Sequence, residues 1–192
     1  MKKDIRAYTY EELQNEIKTS GEKAFRAKQI YEWLHVKLAE HFSEMTNLSK
    51  PLREKLETEY EILPVCMLER QQSKIDGTNK FLFELYDGNV VESVLMRYKH
   101  GNSVCISSQV GCRMGTGEPL DNYDNFLRFI HILTDEHGLN ISQRNVTVST
   151  CGIVPRIYDL AKERMQITLA LSLHGSNQEK RKALMPVANK YE

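Results

Sequence analysis

The stretch Val146–His174, VTVSTCGIVPRIYDLAKERMQITLALSLH, decides the fold class. Val146-Thr147-Val148-Ser149 is a β-branched run, Pro155 to Lys162 opens as a helix carrying Ile157 and Leu160, and Gln166 to Ser172 returns to a strand pattern. Strand, helix and strand at that spacing predict a parallel β/α unit, because parallel strands need a crossover connection. Ligands in such architectures gather beyond the carboxyl ends of strands, which directs attention to Ser149 and to Ser172-Leu173-His174.

Outward from this unit, Glu179 to Leu184 reads as one more helix, and Phe126, Leu127, Ile130 and Leu133 predict a helix from Tyr123 to about His137-Gly138. Further upstream, Lys80–Tyr86 and Val90–Met96 flank Asp87-Gly88 and predict a β-hairpin, with Ser103–Ser107 as a further strand. Before Pro64 the pattern is helical. Thr9-Tyr10-Glu11-Glu12 is a capping box ahead of Leu13 and Ile17, Ala24 to about Phe42 forms a longer amphipathic helix, and Ser49-Lys50-Pro51 starts a third that runs to Tyr60. Phe25, Tyr31 and Trp33 are read as helix core rather than as stacking platforms. The expected division is residues 1–62 as a helical accessory domain, 63–100 as a β-hairpin connection, and 101–192 as a β/α core.

The 192 residues are 41% hydrophobic and 27% charged, with 10 Gly and 5 Pro, as in a folded globular protein. No stretch approaches a membrane span, and acidic residues occupy the start where a signal peptide has its apolar run, so a cytoplasmic protein is expected. The 26 basic and 26 acidic residues cancel, so bulk charge gives no support to a nucleic-acid partner; local groups such as Arg70, Lys74, Arg97 and Lys99 must carry one. A solvated face is the plainer reading of those four.

Gly115-Thr116-Gly117-Glu118-Pro119 is neither a P-loop nor a dinucleotide fingerprint. Its exposed backbone and single carboxylate suit an ammonium group. The four cysteines, 66, 105, 112 and 151, show no C-x-x-C pair and no disulfide framework, and the default for each is a small buried residue. Cys105 and Cys112 flank Ile106-Ser107-Ser108-Gln109-Val110-Gly111. A zinc site from Cys105, Cys112, Cys151 and His174 lacks the spacing of a closed structural centre.

Val104–Met114, Gly115–Leu120, Val146–Pro155 and Ser172-Leu173-His174 resemble, in that order, the motifs of the RlmN/Cfr-type radical S-adenosylmethionine RNA methyltransferases. The N-terminal helices, Val91-Glu92-Ser93-Val94 and Leu184-Met185-Pro186 extend the resemblance over nearly the whole chain. It implies an α/β protein, a partial radical-SAM (β/α) barrel preceded by a small N-terminal helical domain. It implies methylation of adenine carbon 2 in 23S ribosomal RNA, with transfer RNA as a second substrate, and an electron donor that reduces a 4Fe-4S cluster. Position by position, Cys112 resembles the first cluster ligand, Cys105 the thiol that helps resolve a protein–RNA intermediate, and Glu92 the proton acceptor. Gly117 and Glu118 resemble contacts to the methionine end of S-adenosylmethionine, and Ser149, Ser172, Leu173 and His174 its further contacts. Cys66 and Cys151 are read as structural.

The pattern departs from the family at two places. A radical-SAM cluster takes three cysteines in C-x-x-x-C-x-x-C spacing, but the positions four and seven after Cys112 are Thr116 and Pro119. Met114-Gly115 stands where the family has the rest of the cluster loop, a helix and a strand, and reads as the joint of an in-frame deletion. Family members also continue past the position of Glu192 into a part that carries the methyl-accepting cysteine. The expectation is a defective or partial member without an assembled cluster; the alternative is a non-catalytic RNA-binding remnant.

Overall fold

The computed structural model describes residues 2–99, 101–108, 118–173 and 175–184. Two compact units divide the chain, one of residues 1–64 with 127–143 and the other of 65–126 with 144–192.

In the first unit, short strands β1 (Lys3–Asp4) and β2 (Tyr60–Glu61) pair in parallel around helices α1 (Tyr10–Thr19), α2 (Phe25–His35) and α3 (Lys50–Glu59). The capping box forms as expected. Thr9 Oγ1 accepts from Glu12 N–H at 3.3 Å, and the Glu12 carboxylate accepts from Thr9 N–H at 2.9 Å. Leu13 and Ile17 of α1, Ile30, Tyr31 and Leu34 of α2, and Leu52 and Leu56 of α3 bury one core. Phe25 departs from the expected helix core: it stands exposed, with the Arg26 guanidinium over its ring.

Helix α2 stops at His35, well before the expected Phe42. Leu38 adopts φ 56°, and Ala39 N–H reaches back to Trp33 O at 2.9 Å, closing the helix in the left-handed way usually reserved for glycine. Leu38 is left 64% exposed while Phe42 turns inward. Helical spacing therefore continued in the sequence past the point where the backbone had left the helix.

Helix α4 (Tyr123–Thr134) leads into the segment that completes this unit. Arg128 Nη1 donates to Glu12 Oε2 at 2.6 Å and to Ala7 O at 2.9 Å, and His137 stacks on Tyr10 with ring centroids 3.8 Å apart. Asp135 accepts from His137 N–H at 2.8 Å.

The second unit holds an antiparallel sheet in the order β3 (Cys66–Gln72), β4 (Asn79–Glu84), β5 (Val90–Tyr98), β6 (Gly101–Ile106). The expected hairpin is β4–β5, turned at Asp87-Gly88, where Gly88 takes φ 80°. Strand β3 was not legible in the sequence. Its CMLERQQ has no clean alternation because the strand is an edge exposed along its whole length. The parallel pair β7 (Thr147–Thr150) and β8 (Thr168–Leu171) encloses α5 (Val154–Lys162), and α6 (Gln178–Leu184) follows. The mixed α/β class with an N-terminal helical region is the architecture found.

Burial pushes the His35 imidazole down to about 4, helped by the Arg6 charge and opposed by Asp135; its Nε2 is shut from water. The unfolded chain binds that proton near the ordinary histidine value. Stability from this group is therefore complete above that value and declines as pH falls toward 4. Urea unfolding should show a loss of about 2 kcal/mol between about pH 7.5 and about pH 5. His35→Gln should remove most of that difference; an unchanged difference in the variant would refute the assignment to His35.

Candidate functional site

The described candidate residues fall into two groups within the second unit. One lies on the antiparallel sheet. Lys80 of β4 stands opposite Val94 of β5, and Val94 opposite Cys105 of β6, so Lys80, Val94 and Cys105 form one row across one face. Glu92 lies two residues from Val94 and shares that face, diagonal to both Lys80 and Cys105. Lys80 Nζ meets Glu92 Oε2 at 2.5 Å, with both side chains partly exposed. The opposite face carries Phe81 and Phe83 stacked at 5.9 Å, with the Arg70 guanidinium over Phe81. Glu92 and Cys105 are thus brought to one face of one sheet.

The other group sits at the carboxyl ends of the parallel strands. Thr150 pairs with Leu171 in the ladder, and Ser172 N–H donates to Thr150 O at 2.8 Å, carrying the pairing one step past β8. That register sets the Ser149 and Ser172 hydroxyls 3.2 Å apart. Ser149 is exposed, whereas its neighbours Val148 and Thr150 are buried, as alternation along a strand requires. Leu173 follows at 47% exposure.

Glu118 is tied to the same strand end. Its Oε1 accepts from Leu120 N–H at 3.0 Å and from Thr150 Oγ1 at 2.8 Å, and its Oε2 accepts from Cys151 N–H at 2.6 Å. Gly152 then turns the chain with φ 98°, where a side chain would also press on Leu171. Arg181 of α6 donates from Nη2 to Cys151 O at 3.1 Å, pinning the turn from the other side.

Cys112, Gly117, His174 and the Met114-Gly115 junction lie outside the described residues. Cys66 and Cys105 are exposed, against the buried default, and Cys151 is intermediate. Among the described residues, no three His, Cys, Asp or Glu side chains gather as a metal site. Three residues escaped the reading of the sequence. The sequence pattern singles out Ser149 and not its neighbour Thr150, gives Lys80 as the start of a strand and Arg181 as part of a helix; only register and packing bring them to the candidate groups.

A profile of the ribosomal RNA large subunit methyltransferase N-terminal domain matches residues 3–62. The chain is 55% identical to the probable dual-specificity RNA methyltransferase RlmN of Lachnoclostridium phytofermentans, over 98% of its own length and 65% of the relative's. It is 44% identical to the protein of that name from Clostridium novyi, over 98% of this chain and 67% of that one. The chain thus spans about two thirds of the length of the relatives it matches. The first match runs over 231 aligned positions, more than the 192 residues of this chain, so that relative carries residues inside the matched span that have no counterpart here. A crystal structure of a radical SAM methyltransferase from Sphaerobacter thermophilus superposes with a TM-score of 0.87, at 33% identity, over 98% of this chain and 69% of that chain.

Exposure orders the thiols. Brief alkylation of the native chain followed by peptide mass spectrometry should modify Cys66 and Cys105 ahead of Cys151. Protection of Cys105 under native conditions would contradict its place on an open strand.

Proposed function

The chain belongs to the RlmN family of RNA methyltransferases, and on that premise we propose that it is an internally shortened member that binds S-adenosylmethionine and RNA without assembling the family's iron–sulfur cluster. The observation that carries the first part is the Glu118 carboxylate, anchored by Leu120 N–H, Thr150 Oγ1 and Cys151 N–H at the end of a parallel strand. A carboxylate held there suits the ammonium of the cofactor's methionine end. The Ser149 and Ser172 hydroxyls and the Leu173 backbone supply further polar contacts, with Gly117 and His174 joining them by the family motif.

The donor set does not fit the cluster. Of the three positions in the family's cysteine spacing, Cys112 alone carries a thiol, with Thr116 and Pro119 at the others. Neither replacement offers a thiolate, so no step of this chain's chemistry is derived through a cluster. Relatives carry residues inside the matched span that have no counterpart here, which supports an internal shortening; the order of the motifs is what assigns it to Met114-Gly115 as an in-frame deletion. Sequencing the source DNA across codons 105 to 125 tests this, and an encoded cluster loop would overturn it.

S-adenosylmethionine, when bound, supplies the methyl group. By the family motif, Glu92 holds the position of the group that takes the adenine carbon-2 proton in members whose cluster site is complete. Lys80 pairs with that carboxylate on the sheet face that Cys105 shares. The Cys105 thiol, exposed on β6, holds by the family motif the position of the thiol that resolves the protein–RNA intermediate in members whose cluster site is complete. The RNA would be 23S ribosomal RNA, with transfer RNA as a second substrate, and the protein would work in the cytoplasm. Among the described residues, no helix is long and apolar enough to cross a membrane.

A second reading, a non-catalytic RNA-binding remnant, is favoured by the incomplete cysteine set and by the exposure of Lys74, Arg97 and Lys99. Arg70 is the less available member of that set, since it donates to Asn79 and covers Phe81. Salt-dependent binding to a ribosomal RNA hairpin supports this reading, and no binding at low salt removes it.

The purified chain should bind labelled S-adenosylmethionine in equilibrium dialysis, and Glu118→Gln should weaken binding by about tenfold, the cost of losing a charge-assisted contact. Anaerobic reconstitution with iron and sulfide should leave the visible spectrum without an iron–sulfur band. A cluster with three sulfur ligands would overturn the reading of the cysteine set, and no cofactor binding by the unaltered chain would overturn the reading of Glu118.

A further inference from the structure

We propose that Thr150 is a positioning residue for S-adenosylmethionine, acting through the Glu118 carboxylate; the inference rests on the reading of Glu118 as a contact to the cofactor's methionine end. Thr150 is 1% exposed and, with Asn79, is one of two buried polar residues among those described. A hydroxyl removed from water must find partners inside the protein, and this one has two.

The direction of both hydrogen bonds follows from their partners. Gly152 N–H, 3.0 Å from Thr150 Oγ1, is a donor and nothing else, so the hydroxyl oxygen accepts from it. An ionised Glu118 can only accept, so the hydroxyl proton is committed to Glu118 Oε1 at 2.8 Å. Cys151 N–H fastens the other carboxylate oxygen at 2.6 Å. With its two oxygens held by separate donors, the carboxylate has lost rotation about its last torsion before any ligand arrives. A side chain ordered in advance spares the ligand the entropy of ordering it.

Thr150 does this without facing the ligand. Its side chain lies on the buried side of β7, opposite the exposed Ser149 hydroxyl. Gly152 contributes through the same hydroxyl, its N–H donating to Thr150 Oγ1 from two residues along the chain.

The test is equilibrium dialysis of the full chain with radiolabelled S-adenosylmethionine, run beside thermal melts, for Thr150→Val, Thr150→Ser, Glu118→Gln and the Thr150→Val/Glu118→Gln pair. Thr150→Val keeps the shape, removes the hydroxyl and should weaken binding about tenfold. Thr150→Ser restores the hydroxyl and should restore binding. The double variant should bind no more weakly than Glu118→Gln alone, because Thr150 acts only through that carboxylate. If Thr150→Val does not fold, Thr150→Cys replaces it: its thiol is a weak donor and should weaken binding, and unchanged affinity overturns the proposal. Wild-type affinity in Thr150→Val, or losses that add in the double variant, overturns the inference while leaving the reading of Glu118 intact. Failure of the unaltered chain to bind overturns both.

Discussion

The parallel pairing of Thr147–Thr150 with Thr168–Leu171 is the constraint on which the candidate cofactor group depends. A strand repeats its side-chain direction every two residues, so a slip of one position would turn Ser149 inward and Thr150 outward. The observed register does three things together. It buries Thr150 beside Glu118, opens Ser149 toward Ser172, and leaves the backbone of Cys151 and Gly152 free to turn and donate. The group is then a consequence of one ladder, with α5 as the connection that makes parallel pairing possible.

Much of this was legible in the sequence, because its signals were local. The β-branched run before Ser149, the proline in the first turn of α5, the capping box at Thr9 and the Asp87-Gly88 turn each specify backbone geometry through neighbouring atoms. What failed to show had non-local causes. Leu38 has helical spacing but a left-handed backbone, because Ala39 N–H closes on Trp33 O. Strand β3 carries no alternation because neither of its faces is buried. Thr150 looked like one more strand residue, and its use appears only when a loop residue thirty-two positions earlier comes to rest on its hydroxyl.

The antiparallel sheet shows the same limit in its charges. Equal numbers of acidic and basic residues gave no hint of a partner, yet pairing places a lysine and a glutamate on one face and two stacked phenylalanines on the other. A sum over the chain cannot record such a separation. Cys105 shares the face of that lysine and glutamate through pairing with Val94, whereas its place in the sequence, between Val104 and Ile106, is that of an ordinary apolar strand residue.

The first unit closes on residues that ribosomes make late. Helices α1, α2 and α3 occupy the first 64 positions, but Arg128, which grips Glu12 and Ala7, and His137, which covers Tyr10, arrive only after the antiparallel sheet has been translated. The beginning of the chain must therefore wait, with its capping-box glutamate lacking the arginine and one tyrosine face bare, while a stretch of foreign sequence passes between. Domain order in the gene and order of completion in space are different here. A fragment cut at the end of the N-terminal homology, residue 62, would be born without the clasp that finishes it.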